Sequence, residues 1–204
     1  MTDTDDDRSL SYRIGKRAFD LAVALAAMPV ALPLCLILLV AIRLESPGSP
    51  LFVQERVGRN RKPFRMLKLR TMRSNTAHVA SHLVGAAQIT SVGAFLRRTK
   101  LDELPQLANI ITGSMSFVGP RPCLFNQTEL VEERAKRGVY AVRPGVTGAA
   151  QVRGIDMSDP RRLAEEDAAY MHQATLVGDF VILLRTAFGG GQGDAATGPL
   201  GEKH

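Results

Sequence analysis

Residues 21–42 read LAVALAAMPVALPLCLILLVAI, an unbroken run of uncharged side chains in a chain that elsewhere carries many charges. About twenty-two such residues make roughly 33 Å of straight α-helix at 1.5 Å per residue, enough to cross the hydrocarbon of a bilayer. Pro29 and Pro33 fall near its middle. Each removes a backbone donor and sets its ring against the carbonyl four residues earlier, which predicts a kink or a break. Arg13, Lys16 and Arg17 precede the run and Arg43 follows it. Positive charge on both flanks suits a helical hairpin that enters one leaflet and returns to the same face. A kinked span is the other reading, because a broken helix holds at membrane depth only where its freed backbone groups find partners. Roughly twenty polar or mixed residues come before the run, so a cleaved signal peptide is not expected.

Outside this segment the charge is unevenly placed. The chain has 204 residues, with 26 Lys and Arg against 20 Asp and Glu. The surplus concentrates between Arg56 and Arg73, where Arg59, Arg61, Lys62, Arg65, Lys68 and Arg70 occur with no acid among them. Such a strip attracts phosphate, whether of lipids or of nucleotides. Nucleic acid is open on charge alone, but a zinc pattern and an interleaved aromatic series are both missing, so no nucleic-acid partner is expected. Cys35 and Cys123 stand in unlike settings, one in the apolar run and one in a proline-rich loop. This speaks against a disulfide framework or a metal site and fits a reducing compartment. With no Trp in the chain, Tyr12 and Phe19 are left as interfacial aromatics.

After the apolar run, Ser46-Pro47-Gly48-Ser49-Pro50 is a dense turn signal. A β-like run follows at Leu51–Gln54, and Phe64–Met72 alternates between basic and apolar residues as a strand or edge segment would. Residues 77–88 are small and weakly patterned. Ser91–Arg98 reads as a helix, and Leu101, Leu104, Leu107, Ala108 and Ile111 then recur on one helical face that ends at Gly113. Pro105 is tolerated only in a first turn, which places the start of that second helix near Leu101 or Asp102. Further helices are expected over Thr128–Arg137, stopped by Gly138, and over Pro160–Gln173. The Gly-rich end from Gly189 reads as a flexible tail.

Asp102 and Glu103 open the predicted second helix, where unpaired N–H groups and the macrodipole favour ionised carboxylates. An ionised Asp beside a second acid can attack phosphorus or bind Mg²⁺; the same pair also serves as a simple N-cap and first-turn charge. In Phe117-Val118-Gly119-Pro120-Arg121-Pro122 the two prolines hold the backbone on either side of Arg121, as a phosphate clamp requires. Arg143-Pro144-Gly145-Val146-Thr147-Gly148 repeats the arrangement, with glycines that allow a close backbone approach to a ligand, or simply a structural turn.

Taken together these segments resemble the monotopic phosphoglycosyl transferases, bacterial sugar transferases that begin the assembly of polysaccharides, O-antigens and glycoproteins. The resemblance runs from about Lys16 to Phe188. It is carried by Lys16-Arg17-Ala18-Phe19-Asp20, Glu55-Arg56-Val57-Gly58, Lys68-Leu69-Arg70-Thr71-Met72, Leu101-Asp102-Glu103-Leu104-Pro105-Gln106-Leu107, Met115-Ser116 with the Arg121 segment, and the Arg143 segment. Each is weak alone, and their order and spacing together are specific.

The resemblance implies a helix-rich α/β fold with a re-entrant membrane helix, interfacial amphipathic helices and a small, compact cytoplasmic catalytic domain. The corresponding division is a polar tail over residues 1–15, the re-entrant helix over 16–45, the catalytic part over 46–188 and a flexible tail over 189–204. Pro33 matches the family's breaking proline and Pro29 is an additional one. The resemblance further implies that Asp102 attacks a UDP-sugar to form a phosphosugar-aspartyl ester, which a polyprenol (undecaprenyl) phosphate then resolves. Glu103, with Asp102 beside it, would hold Mg²⁺. Arg97, Arg121 and Arg143 align with family arginines as phosphate contacts, and Lys68 and Arg70 would help receive phosphate or lipid head groups. Anionic lipids are expected partners at the bacterial inner (cytoplasmic) membrane, and a homo-oligomer is left open. Leu32 replaces a common Ser ahead of the breaking proline, Ser114 a common Asp, and Ala149 a common Trp. The competing class is a non-enzymatic membrane-tethered scaffold whose basic strip binds lipid.

Overall fold

The computed structural model describes residues 9–73 and 88–189. All but Gly189 of the flexible tail expected over 189–204, and all but Gln88 of the weakly patterned stretch 77–88, lie outside the described residues.

The apolar run is the middle of one helix, α1 (Leu10–Glu45), with both Pro29 and Pro33 inside it. It starts at Ser9, whose hydroxyl accepts from the Tyr12 N–H, and ends where Ser46 turns extended. Its apolar part, with a mean hydropathy of 2.7, is long and apolar enough to cross a membrane. Side chains such as Leu25, Val30, Leu36 and Ile37 are more than half exposed, as expected of a surface made for lipid rather than water.

Both ends of α1 join one body. Near the start, Arg17 donates to the carbonyls of Ile110 and Ile111 at 2.6 and 2.9 Å. Asp20 accepts from the Ser116 hydroxyl and the Phe117 N–H. Near the far end, the Arg70 guanidinium caps the helix, donating to the carbonyls of Ser46 and Pro47 at 2.7 and 2.9 Å. Glu45 accepts from the N–H groups of Ser91 and Val92, where the next helix begins. Packing follows the same division, for Ala24 joins a buried cluster with Met66, Ile110 and Met115. Leu38 and Ile42 join a second with Leu69 and Leu96.

Beyond α1 come β1 (Leu51–Val57) and β2 (Pro63–Leu69), an antiparallel pair in which Leu51 faces Leu69 and Val57 faces Pro63. Asn60, at φ 55°, lies in the tight turn between them. The second strand shows the expected alternation in part: Met66 and Leu69 are buried while Arg65 is exposed. Its outer edge is closed by Asn109, whose amide accepts from the Leu67 N–H at 3.0 Å and donates to the Arg65 carbonyl at 2.8 Å. One side chain thus supplies what a third strand would.

The helices α2 (Ser91–Thr99) and α3 (Gln106–Thr112) are separated by a 3₁₀ turn over Leu101–Glu103. This corrects the expected start near Leu101 or Asp102. Pro105 is the cap residue of α3, one position ahead of the first-turn site assigned to it, so the acid pair sits on a separate tight turn.

Next come β3 (Ser116–Val118), α4 (Thr128–Lys136) and β4 (Gly145–Thr147), then α5 (Ala149–Val152), α6 (Pro160–Gln173) and α7 (Leu176–Ala187). The α4 and α6 spans match the sequence expectation closely, with Gly138 at φ 69° after α4. The parallel pairing of β3 with β4 sets Ser116 opposite Gly145 and Val118 opposite Thr147. It brings the Arg121 and Arg143 segments side by side. Their glycines are needed there, because a Cβ on Gly145 would meet the Gly119 nitrogen at 2.2 Å and one on Gly148 the Gly119 carbonyl oxygen at 2.4 Å. These glycines let two backbones approach each other.

Candidate active site

The acid pair is reached through a forced turn. Lys100 takes the left-handed conformation, φ 57°, ending α2 and swinging the chain into the 3₁₀ turn that bears Asp102 and Glu103. From β2, anchored by Asn109, Lys68 extends to both acids: its ammonium is 2.8 Å from Glu103 Oε1 and 3.9 Å from Asp102 Oδ2. Arg121 brings a guanidinium nitrogen to 3.7 Å from Glu103 Oε1.

The two acids are held differently. Asp102 is 9% exposed, and its carboxylate accepts no hydrogen bond from the described residues. Burial pushes its pKa above the ordinary aspartate range, with the Glu103 charge adding to the rise while Lys68, Arg97 and Arg121 pull it back. Burial also opposes the charge on Glu103, but Lys68 and Arg121 outweigh it and hold that carboxyl below the ordinary glutamate range. Neighbouring acids with pKa values driven apart are a recurrent mark of catalytic sites.

Arg97 stands in the last turn of α2, its Nε–H donating to the Thr71 hydroxyl at 2.9 Å. Burial lowers its pKa, and the Asp102 charge opposes that shift, so the two groups feel each other. The Arg121 loop is fixed by two further arginines. Arg134 donates to the Arg121 carbonyl at 2.8 Å while forming a buried ion pair with Asp167 at 2.6 Å. Arg56 donates to the Pro122 carbonyl at 3.1 Å. Sequence reasoning missed Arg134, Asp167 and Asn109 as positioning residues; Arg134 lies on a helix of mixed polarity where nothing in the spacing sets it apart.

The structure therefore gathers Asp102, Glu103, Lys68, Arg97 and Arg121. It does not bring Arg70 or Arg143 to that group. The Arg70 guanidinium is bonded to the end of α1, and Arg143 donates to the Gly113 carbonyl at 2.8 Å, with Arg13, Arg17, Asp20 and Arg59 among its charged neighbours.

As a metal site the pair is lean. Among the described residues no group of three or more His, Cys, Asp or Glu side chains converges. Mg²⁺, however, keeps several waters and commonly takes only one or two carboxylates plus substrate phosphates. Asp102 and Glu103 fit that mode.

A buried aspartate and a half-buried glutamate ringed by cations, beside a long apolar helix, suit phosphate-bearing substrates at a membrane. Comparison with known proteins agrees with that class. The bacterial sugar transferase family model matches residues 11–191, and the chain belongs to that family. It is 40% identical over 186 residues to the exopolysaccharide production protein PSS of Rhizobium leguminosarum bv. phaseoli, covering 85% of this chain and 92% of that protein. It is 41% identical over 182 residues to the UDP-glucose:undecaprenyl-phosphate glucose-1-phosphate transferase of Caulobacter vibrioides, covering 84% of this chain and 67% of that protein. It is 36% identical over 182 residues to the UDP-N-acetylgalactosamine-undecaprenyl-phosphate N-acetylgalactosaminephosphotransferase of Aeromonas hydrophila, covering 86% of this chain but 43% of that protein. Some relatives are therefore more than twice the length of the matched region.

Proposed function

We propose that the protein transfers a sugar-1-phosphate from a UDP-sugar to undecaprenyl phosphate, releasing UMP, as a first membrane step of polysaccharide or glycoconjugate assembly. The observation that carries the reading is Asp102: a buried carboxylate short of hydrogen bonds, with Lys68, Arg97 and Arg121 around it. A carboxylate left under-solvated is a stronger nucleophile than one saturated with donors.

In the first step an Asp102 oxygen attacks the β-phosphorus of the UDP-sugar. A phosphorus–oxygen bond forms to the aspartate as the bond from that phosphorus to the bridging oxygen breaks, and UMP departs with the bridging oxygen and its electron pair. In the second step an oxygen of the polyprenol phosphate attacks the same phosphorus. The aspartyl ester breaks and the Asp102 carboxylate is restored. Phosphoryl transfer depends chiefly on positioning and on neutralising charge. Lys68 and Arg121, both within reach of Glu103, and Arg97 near Asp102 supply fixed positive charge. Glu103 and Asp102 would hold Mg²⁺, which when bound neutralises diphosphate charge.

For the membrane segment, we propose that α1 is re-entrant, with its turning region near Pro29 and Pro33 in one leaflet and the catalytic part on the cytoplasmic face of the inner membrane. Support for this reading is that Arg17 and Asp20 near one end, and Ile42 and Glu45 near the other, bond or pack against the same body. A spanning helix would carry one of those ends to the far side. Cysteine accessibility at engineered sites beside Arg13 and Leu44 tests it, since labelling from opposite faces overturns the re-entrant arrangement.

The deciding experiment on function is UMP release by detergent-solubilised protein given Mg²⁺, undecaprenyl phosphate and a panel of UDP-sugars. At least one sugar is expected to release UMP, with intact-mass analysis finding its phosphosugar on Asp102 when the lipid is withheld. The scaffold alternative predicts that Asp102→Asn changes nothing.

A further inference from the structure

A cavity of about 470 Å³ lies against the N-terminal part of α1, and Lys68, Arg97, Asp102, Glu103 and Arg121 take no part in its lining. Arg13 and Arg17 of α1, Arg59 of the turn after β1, and Arg143 just before β4 all face into it. The carboxylate in its wall, Asp20, is committed to Ser116 and Phe117. The lysine in its wall, Lys16, is already paired with Asp179 at 2.8 Å.

The arginines are aimed. Arg59 and Arg143 each give Nε–H to a backbone carbonyl, of Ala141 and Gly113 respectively, both at 2.8 Å. That bond fixes the guanidinium plane and leaves its terminal N–H groups for something else. Arg17 gives one bond from each terminal nitrogen, to carbonyls of α3. Arg17, Arg59 and Arg143 form no ion pair with a carboxylate of the described residues. Burial, and then repulsion from Arg17 and Arg59, holds Arg143 below the ordinary arginine pKa, with Asp20 pulling the other way but not prevailing, as expected where cations packed together outnumber the nearby carboxylates.

The cavity also has an apolar side. Leu10 and Ile14, one helical turn apart on α1, line it and are 68% and 61% exposed. From there α1 continues directly into its apolar run. Guanidiniums recognise phosphate oxygens by short, charge-assisted bonds, and an exposed apolar edge beside them favours a phosphate that carries a hydrocarbon chain.

We propose that this cavity binds the phosphate head of a lipid, with Arg17, Arg59 and Arg143 around its oxygens and its chain passing over Leu10 and Ile14. Gly119, which lines the cavity, is two residues from Arg121, the arginine that reaches Glu103. Two sources share this chemistry: undecaprenyl phosphate and an ordinary anionic phospholipid.

The test uses the full chain in detergent, carrying Asp102→Asn so that no turnover intervenes, with lipid binding followed by native mass spectrometry. Undecaprenyl phosphate, dioleoyl phosphatidic acid and inorganic phosphate are titrated separately. A lipid phosphate is expected to bind, with Arg59→Gln weakening it tenfold or more, Arg59→Lys restoring part of the loss, and Arg65→Gln, on the exposed face of β2, leaving it unchanged. Arg17→Gln, accepted only if its melting matches the parent, is expected to act as Arg59→Gln does. Preference for undecaprenyl phosphate names the acceptor as occupant; equal binding of both lipids names a bilayer phospholipid. Unchanged binding in Arg59→Gln, or inorganic phosphate binding as tightly as the lipids, overturns the proposal. Because binding is read without transfer, a negative result leaves the proposed reaction standing, and an inactive enzyme leaves this site standing.

Discussion

Two buried aspartates, Asp102 and Asp179, show how the same side chain is put to opposite uses. Asp179 is fully buried and saturated: Lys16 donates at 2.8 Å, Tyr12 at 2.9 Å and Tyr170 at 2.7 Å. These bonds tie α7 to α1 and to α6. Asp102, also buried, has among the described residues only Lys68, at 3.9 Å, as a paired cation. A buried charge with donors on both oxygens holds a structure together; one left short of donors carries a cost that chemistry can use.

The sharpest way to break this contrast is to neutralise each aspartate in turn. Asp102→Asn is expected to lower UMP release by about 10³-fold or more, as loss of a covalent nucleophile does. The folded protein should not suffer. A carboxyl whose pKa is raised on folding destabilises the native state once the pH exceeds its unfolded value, so removing the charge is expected to leave the melting temperature at pH 7 unchanged or higher. Asp179→Asn should do the reverse, costing about 3–5 kcal/mol by stranding the Lys16 charge, seen as a lower melting temperature. If both variants lose activity and stability equally, the distinction fails.

A smaller effect is expected from Arg134→Met. It removes the donor to the Arg121 carbonyl and leaves Asp167 unpaired, so kcat should fall about tenfold as the Arg121 loop loosens, alongside a stability loss. The double variant with Asp167→Leu should recover stability more than activity, as measured by melting and by steady-state UMP release.

The mildest prediction concerns pH. Single-turnover formation of the phosphosugar adduct is expected to rise with pH as Asp102 ionises, with its midpoint above the ordinary aspartate value of 3.8. Lys68 favours the ionised form, so Lys68→Met should move that midpoint upward. Glu103 behaves oppositely. Its lowered pKa adds stability that is present above the unfolded glutamate value and lost as the pH falls through the folded one, so Glu103→Gln should flatten the acid side of the melting profile.

How far the sequence could be read depended on whether the deciding interactions were local. Thr128–Lys136 and Pro160–Gln173 were legible because caps and turn residues mark helix ends within a few positions. The Asp102–Glu103 pair and Arg121 were legible as motifs. Their meeting with Lys68 was not, because that depends on Asn109 securing β2 to α3 across some forty residues of chain. The β3–β4 pairing hid for the same reason, and its glycines, which the sequence left open between a ligand loop and a structural turn, serve a close backbone crossing. Arg70 belongs to a basic strip, but which of those cations turns inward to cap α1 is decided by packing. For α7, the recurrence of Leu176, Val177, Phe180, Val181 and Leu184 was a visible helical stripe that the Gly-rich tail overshadowed.

The bonding of α1 at both ends also bears on how the protein can be handled. Ala24, Leu38 and Ile42 are components of the interior, so the anchor is not a detachable handle. Cutting the chain after Glu45 to obtain a water-soluble version would open two cavities and strand the Arg70 side chain. Replacing the segment with a foreign apolar helix of equal greasiness would restore attachment to a bilayer without restoring either. Shortened forms are accordingly expected to aggregate, while the intact chain extracted in a mild surfactant keeps its interior.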